Sequence, residues 1–85
     1  MRSYKTKATI EQAKQLAGFV LLFGGDVMTI PSEDCFVFLT VDNGNYVLLT
    51  TTSRAYYKLS RLEEIDVNQL LSEFENQMGV NHVRP

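Results

Sequence analysis

The stretch from Cys35 to Thr52, CFVFLTVDNGNYVLLTTT, constrains the fold more than any other. Two runs of β-branched, aromatic and aliphatic residues flank Asp42-Asn43-Gly44-Asn45. An Asn-Gly pair between such runs signals a hairpin, because a type I′ turn needs positive φ at both central residues. The expected register sets Asp42 opposite Asn45, Val41 opposite Tyr46, Leu39 opposite Leu48 and Val37 opposite Thr50. Side chains alternate along a strand, so these residues share one face with Cys35 and Thr52. The other face carries Phe36, Phe38, Thr40, Val47, Leu49 and Thr51. Neither face is polar, and a two-stranded ribbon cannot bury both by itself. Helices must cover at least one. What covers the Phe36/Phe38 face is the question on which function turns.

The flanks supply the helices. Residues 1–8 (MRSYKTKA) read as a basic arm or a short edge strand. Thr9-Ile10-Glu11-Gln12 fits a capping box, in which the Thr hydroxyl and the Gln amide satisfy each other's backbone N–H groups. A helix is expected from Ile10 to about Phe23, with Ile10, Ala13, Leu16, Ala17, Val20 and Phe23 or Leu21 on one face. Gly24-Gly25 ends it. A short strand over 27–30 follows, stopped by Pro31 and a turn-rich 31–34.

After the hairpin, residues 55–59 (AYYKL) read as a third antiparallel strand. With Thr52 opposite Ala55, Tyr57 and Leu59 join the Val37/Leu39 face. Arg54, Tyr56 and Lys58 then join the Phe36/Phe38 face, and a one-residue slip exchanges the two sets. The last helix has two capping-box starts, Ser60-Arg61-Leu62-Glu63 and Asp66-Val67-Asn68-Gln69. The apolar set Val67, Leu70, Leu71, Phe74 and Met78 belongs to the second, leaving Leu62 and Ile65 to a short turn before it. Gly79 is the expected C′ residue, and 80–85 a tail. The reading is one α+β domain over 1–85. Its core is an antiparallel three- to four-stranded meander, with an N-terminal and a C-terminal helix packed on one face in αβββα order.

A chain of 85 residues supports one modest core. Its net charge of -2 argues against a generally basic nucleic-acid coat protein. The charge is uneven, however. Arg2, Lys5, Lys7 and Lys14 crowd the N-terminal part, and Arg54, Lys58 and Arg61 sit together, whereas Glu63, Glu64, Asp66, Glu73 and Glu75 load the C-terminal part. The lone Cys35 excludes an intramolecular disulfide, which points to a reducing cytoplasm. No signal-peptide pattern is visible, and the apolar run Phe19–Phe23 is far below the roughly 20 residues needed to cross a bilayer.

No catalytic, cofactor-binding or metal-binding motif stands out, so the chain is expected not to be an enzyme. Cys35 as a nucleophile would need a base, and the only histidine is His82 in the tail. His82 has no neighbour at metal-ligand spacing. Glu33-Asp34 and Glu63-Glu64 are adjacent pairs whose side chains point apart; a solvated loop and a helix start explain them. Gly24-Gly25-Asp26 lacks the lysine spacing and preceding strand of a phosphate loop. Nothing resembles a Ser-His-Asp arrangement.

The suggestive stretch is Arg54 to Arg61, RAYYKLSR, where basic and aromatic residues interleave. On a sheet face beside Phe36 and Phe38, Tyr56 could stack a base while Arg54 and Lys58 meet phosphates. The structural alternative is an edge strand whose Lys and Arg block sheet-to-sheet aggregation. The order helix–three strands–helix is similar to that of double-stranded RNA-binding domains, but only in topology. Where that family opens its second helix with basic residues, this chain has Leu62-Glu63-Glu64-Ile65-Asp66. Where the family has a histidine-bearing loop, it has Pro31-Ser32-Glu33-Asp34. No family membership follows.

Three functions remain. The first is a small non-enzymatic binding protein that inhibits or neutralises a host protein such as a nuclease, toxin or defence factor, with room for an RNA contact. Phe36, Phe38 and Tyr56 would form its contact face. The chain's general look is similar to short accessory proteins of tailed phages, which often act by occupying a host protein. The second is a stand-alone RNA or single-strand binder using Arg2, Lys5, Lys7, Arg54, Tyr56, Lys58 and Arg61. The third is a structural homodimer joined through its Phe faces.

Overall fold

A computed structural model describes residues 2–78. The elements in order are β1 (Tyr4–Ala8), α1 (Ile10–Leu22), β2 (Asp26–Val27), β3 (Cys35–Asp42), β4 (Asn45–Thr51), α2 (Arg54–Leu59), β5 (Glu63–Glu64) and α3 (Val67–Gln77). The five strands form one sheet in the order β2-β4-β3-β1-β5. The fold is α+β, as expected. The sheet is mixed rather than a pure meander, since β2 runs parallel to β4 and β5 parallel to β1.

The central hairpin has the expected register, with Val37 opposite Thr50, Leu39 opposite Leu48, Val41 opposite Tyr46 and Asp42 opposite Asn45. Its turn places Asn43 at φ 52° and Gly44 at φ 82°, the positive pair that a type I′ turn demands. The expected helix face is also present. Val37, Leu39 and Leu48 are fully buried beneath Ala13, Leu16 and Val20 of α1 and Leu70 and Phe74 of α3. Phe74 is the hub of this layer. Its ring stacks on Phe19 at 5.4 Å and meets Tyr46 edge-on at 5.3 Å.

Caps fix both helices. The Thr9 hydroxyl accepts from the Gln12 N–H, and the Gln12 side chain accepts from the Thr9 N–H in return, completing the box. Asp34 adds a carboxylate at the same end, accepting from the Ile10 N–H at 2.8 Å. The second of the two candidate starts is the real beginning of α3, where the Asp66 carboxylate accepts from the Asn68 N–H. Ser60, the first candidate, accepts from the Leu62 N–H but opens no helix. Its neighbours Glu63 and Glu64 instead form β5, in place of the expected short turn.

Two further expectations are corrected. Residues 4–8 are a strand rather than a basic arm, and the strand is not at the sheet's edge. They form β1, paired along its length with β3 and over Tyr4–Lys5 with β5. Tyr4, Thr6 and Ala8 point into the helical layer and are buried, while Lys5 and Lys7 point to the opposite face. This alternation fits a strand with one covered face.

Residues 55–59 are not a strand but most of helix α2, capped by the Ser53 hydroxyl accepting from the Tyr56 N–H at 3.1 Å. No strand edge is free for them beside β4. Asp26 and Val27 take it, and Met28 and Thr29 extend the seam through Met28 N–H to Leu48 C=O and Thr50 N–H to the Thr29 hydroxyl, both at 2.8 Å. The chain therefore folds back across the sheet. Gly79 and the tail with His82 lie outside the described residues.

Candidate partner-binding surface

Helix α2 answers the question of what covers the Phe36/Phe38 face. It lies across that face as a short ridge, and its two tyrosines take different roles. Tyr57 is the anchor. Its ring stacks on Phe36 with centroids 4.6 Å apart and lies 6.0 Å from Phe38. Its hydroxyl donates to the Glu64 carboxylate at 2.5 Å. Burial, then this hydrogen bond and the Glu64 charge, push the phenol well above its ordinary range. A third-strand register would set Tyr57 on the Val37/Leu39 face; helical geometry puts it on the opposite one. Tyr56 meets Phe38 edge-on at 5.5 Å and remains 55% exposed.

Lys5 locks the ridge in place. Its ammonium donates to the Tyr57 carbonyl at 2.7 Å and the Ser60 carbonyl at 2.9 Å, and sits 4.6 Å from the Tyr57 ring centre. These carbonyls belong to the end of α2, where a cation is favoured. Lys5, expected among the nucleic-acid contacts, is therefore engaged within the fold. Arg2, from the same group, pairs with Glu63 at 3.1 Å across an exposed edge.

The ridge divides the sheet face. On the β4 side an open apolar groove of about 420 Å³ is lined by Phe38, Thr40, Leu49, Tyr56, Leu59, Ser60 and Leu62. Leu59 stands 80% exposed at its margin. Phe38 forms part of the groove but is only 6% exposed, so it belongs as much to the fold as to a contact surface. Phe36 is half-buried under Tyr57. Of the three expected contact residues, Tyr56 is the one that projects. Leu59 and Leu62 escape sequence reasoning because a strand reading turns Leu59 into the core and leaves Leu62 in a turn.

On the β1 side a smaller recess of about 230 Å³ is lined by Lys5, Lys7, Phe36, Arg54, Tyr57, Lys58 and Glu64. Four of the expected basic contacts thus converge, though on the far flank of the ridge from Tyr56. Arg61 lines neither hollow.

Burial and the nearby Asp34 and Glu33 charges raise the Cys35 thiol above its ordinary range, so it is protonated at neutral pH. Asp34 serves the start of α1, Glu63 pairs with Arg2, and Glu64 takes the Tyr57 hydroxyl. Among the described residues no group of three His, Cys, Asp or Glu side chains could hold a metal ion. No helix among them is long and apolar enough to cross a membrane. No protein-family model, curated protein or solved structure matches the chain.

Proposed function

We propose that this chain is a small non-enzymatic binding protein of the cytoplasm. It acts by occupying a partner protein, as an inhibitor or antitoxin-like neutraliser of a nuclease, toxin or defence factor. The observation that carries this reading is the pairing of two projecting side chains, Tyr56 and Leu59, with the apolar groove they border. A water-exposed apolar hollow has an unfavourable hydration free energy that a partner's side chains relieve. An aromatic anchor beside such a hollow is typical of the residues that dominate binding energy.

The geometry also fits a rigid interface. The groove floor is built on β3 and β4, and its wall is a helix held by Lys5 and Tyr57. A partner entering it would meet few groups that must first be ordered, which lowers the entropic cost of association.

The test is a co-purification from the native cell with three versions of the tagged chain: wild type, Tyr56→Ala/Leu59→Asp, and Leu22→Asp as a control on the exposed outer face of α1. Both altered leucines are exposed, so folding should survive in each variant. The reading requires a partner held by wild type and by the control, whose affinity for the groove variant falls at least about tenfold, the scale of one good anchor residue. A partner that binds all three equally would remove the groove from the interface.

A further inference from the structure

We infer that the recess between β1 and α2 is a phosphate-binding site, built by Lys7, Arg54 and Lys58. It lies across the α2 ridge from the apolar groove and does not depend on the protein-partner reading.

The fold itself uses only some of its cations on this side. Lys5 is engaged with two backbone carbonyls and Arg2 with Glu63. The side chains of Lys7, Arg54 and Lys58 make no hydrogen bond or ion pair among the described residues, yet all three line one recess. The single carboxylate there, Glu64, already accepts the Tyr57 hydroxyl. Counting Lys5 and Glu64 as well, the lining side chains carry a net charge of +3, in a chain whose total is -2. Each cation alone has a bland explanation. Lys58 lies in the last turn of α2, and Lys7 sits on β1 past the two residues that pair with β5. Neither explains why cations from two elements far apart in the chain meet at one concavity, where mutual repulsion opposes their approach. An anion between them reverses the sign of that interaction.

The walls narrow the chemistry. The Tyr57 ring has Phe36 on it and the Lys5 ammonium over it, so it offers no open face for a nucleobase. Tyr56, the projecting ring, is on the other flank. The recess therefore recognises charge rather than a base. An Arg with two Lys side chains suits a phosphate oxygen cluster: the guanidinium as a fork, the ammoniums as point charges. A free phosphate anion and the backbone of a nucleic-acid strand present the same chemistry to the recess.

The experiment is an NMR titration of the ¹⁵N-labelled chain with inorganic phosphate and, separately, with a short oligouridylate. Both are repeated on Lys7→Gln/Arg54→Gln/Lys58→Gln, three exposed positions whose spectrum reports directly that the fold is kept. The expected result is that amides of β1 and α2 around the recess move, and that the triple variant binds at least about tenfold more weakly. If the strand is the source, the salt dependence of its binding should also weaken by about 2 in slope when three phosphate neighbours are neutralised, at roughly 0.7 per phosphate on a single strand. Shifts with phosphate but not with the strand would assign the site to a small phosphate anion. No shift with either probe, or shifts that persist in the triple variant, would overturn the proposal.

Discussion

The Phe36 and Tyr57 rings lie 4.6 Å apart with their planes inclined by 27°, and this contact joins helix α2 to the central strand β3. It also separates the apolar groove from the basic recess, so both candidate sites depend on it. Removing the ring should cost what the truncation of a large buried aromatic usually costs, about 3–5 kcal/mol for Tyr57→Ala. Tyr57→Phe keeps the stack and removes only the bond to Glu64, a charge-assisted contact for which about 1.5–3 kcal/mol is expected. Urea unfolding followed by circular dichroism checks the order. Equal destabilisation in the two variants would show that the hydroxyl, not the ring, holds the ridge.

The same hydroxyl makes stability depend on pH in the alkaline range. The folded phenol titrates higher than the unfolded one, whose pKa is about 10. Above a pH of about 10 the unfolded chain therefore releases a proton that the folded chain keeps, and stability falls as pH rises. The contribution is fully present below that range. The stability difference between wild type and Tyr57→Phe should accordingly be flat from about pH 7 to 9 and shrink as pH rises above about 10. A difference that stays constant across the alkaline range would mean that Tyr57 ionises as easily folded as unfolded.

Lys5 and Lys7 are neighbours on the same strand face with opposite assignments, and a pair of substitutions separates them. Lys5→Met removes two charged hydrogen bonds to the end of α2 and should destabilise by about 2 kcal/mol. For a domain of this size that lowers the melting temperature by roughly 10 °C. Lys7→Met touches no partner in the fold and should change stability by less than about 0.5 kcal/mol. Calorimetry on both variants suffices. A large destabilisation at Lys7 would place it in the structure rather than in the phosphate site.

The legible parts of this fold are those whose signals are local and redundant. The hairpin is readable because the Asn43-Gly44 turn and the apolar runs on both sides agree on one register. Helices α1 and α3 are readable because a cap and a helical period coincide at Thr9 and Asp66. Strand β1 is harder, although the alternation of Tyr4, Thr6 and Ala8 with Lys5 and Lys7 carries the period of a half-buried strand. Its basic character masks this, and only its partners β3 and β5 explain it. Residues 55–59 mislead because their two adjacent tyrosines favour a strand, and a helix of six residues is too short to show a period. The Ser53 cap is the available signal. That one reversal also explains the site. Most of its basic residues stand out in the sequence, but a strand would set Arg54, Tyr56 and Lys58 on one face, whereas the helix puts the tyrosine and the cations on opposite flanks.

Two glycines should respond in opposite directions to the same substitution. Gly18 lies inside α1, and a Cβ there would meet nothing within 4 Å. Glycine in a helix interior is about 1 kcal/mol less favourable than alanine, so Gly18→Ala should stabilise by about that amount. Gly25 follows the end of α1, where its N–H donates to the Val20 carbonyl at 2.8 Å. A Cβ at this position would press on the Tyr46 carbonyl oxygen and lie 2.9 Å from the Val20 Cγ1. Both obstacles belong to the packed layer between α1 and β4, and neither is a flexible side-chain tip. Gly25→Ala should therefore destabilise by about 1–3 kcal/mol, the usual range for overpacking. Thermal unfolding of the two single variants reads both signs at once. A neutral Gly25→Ala would mean that the end of α1 can move away from Tyr46 without disturbing the layer beneath it.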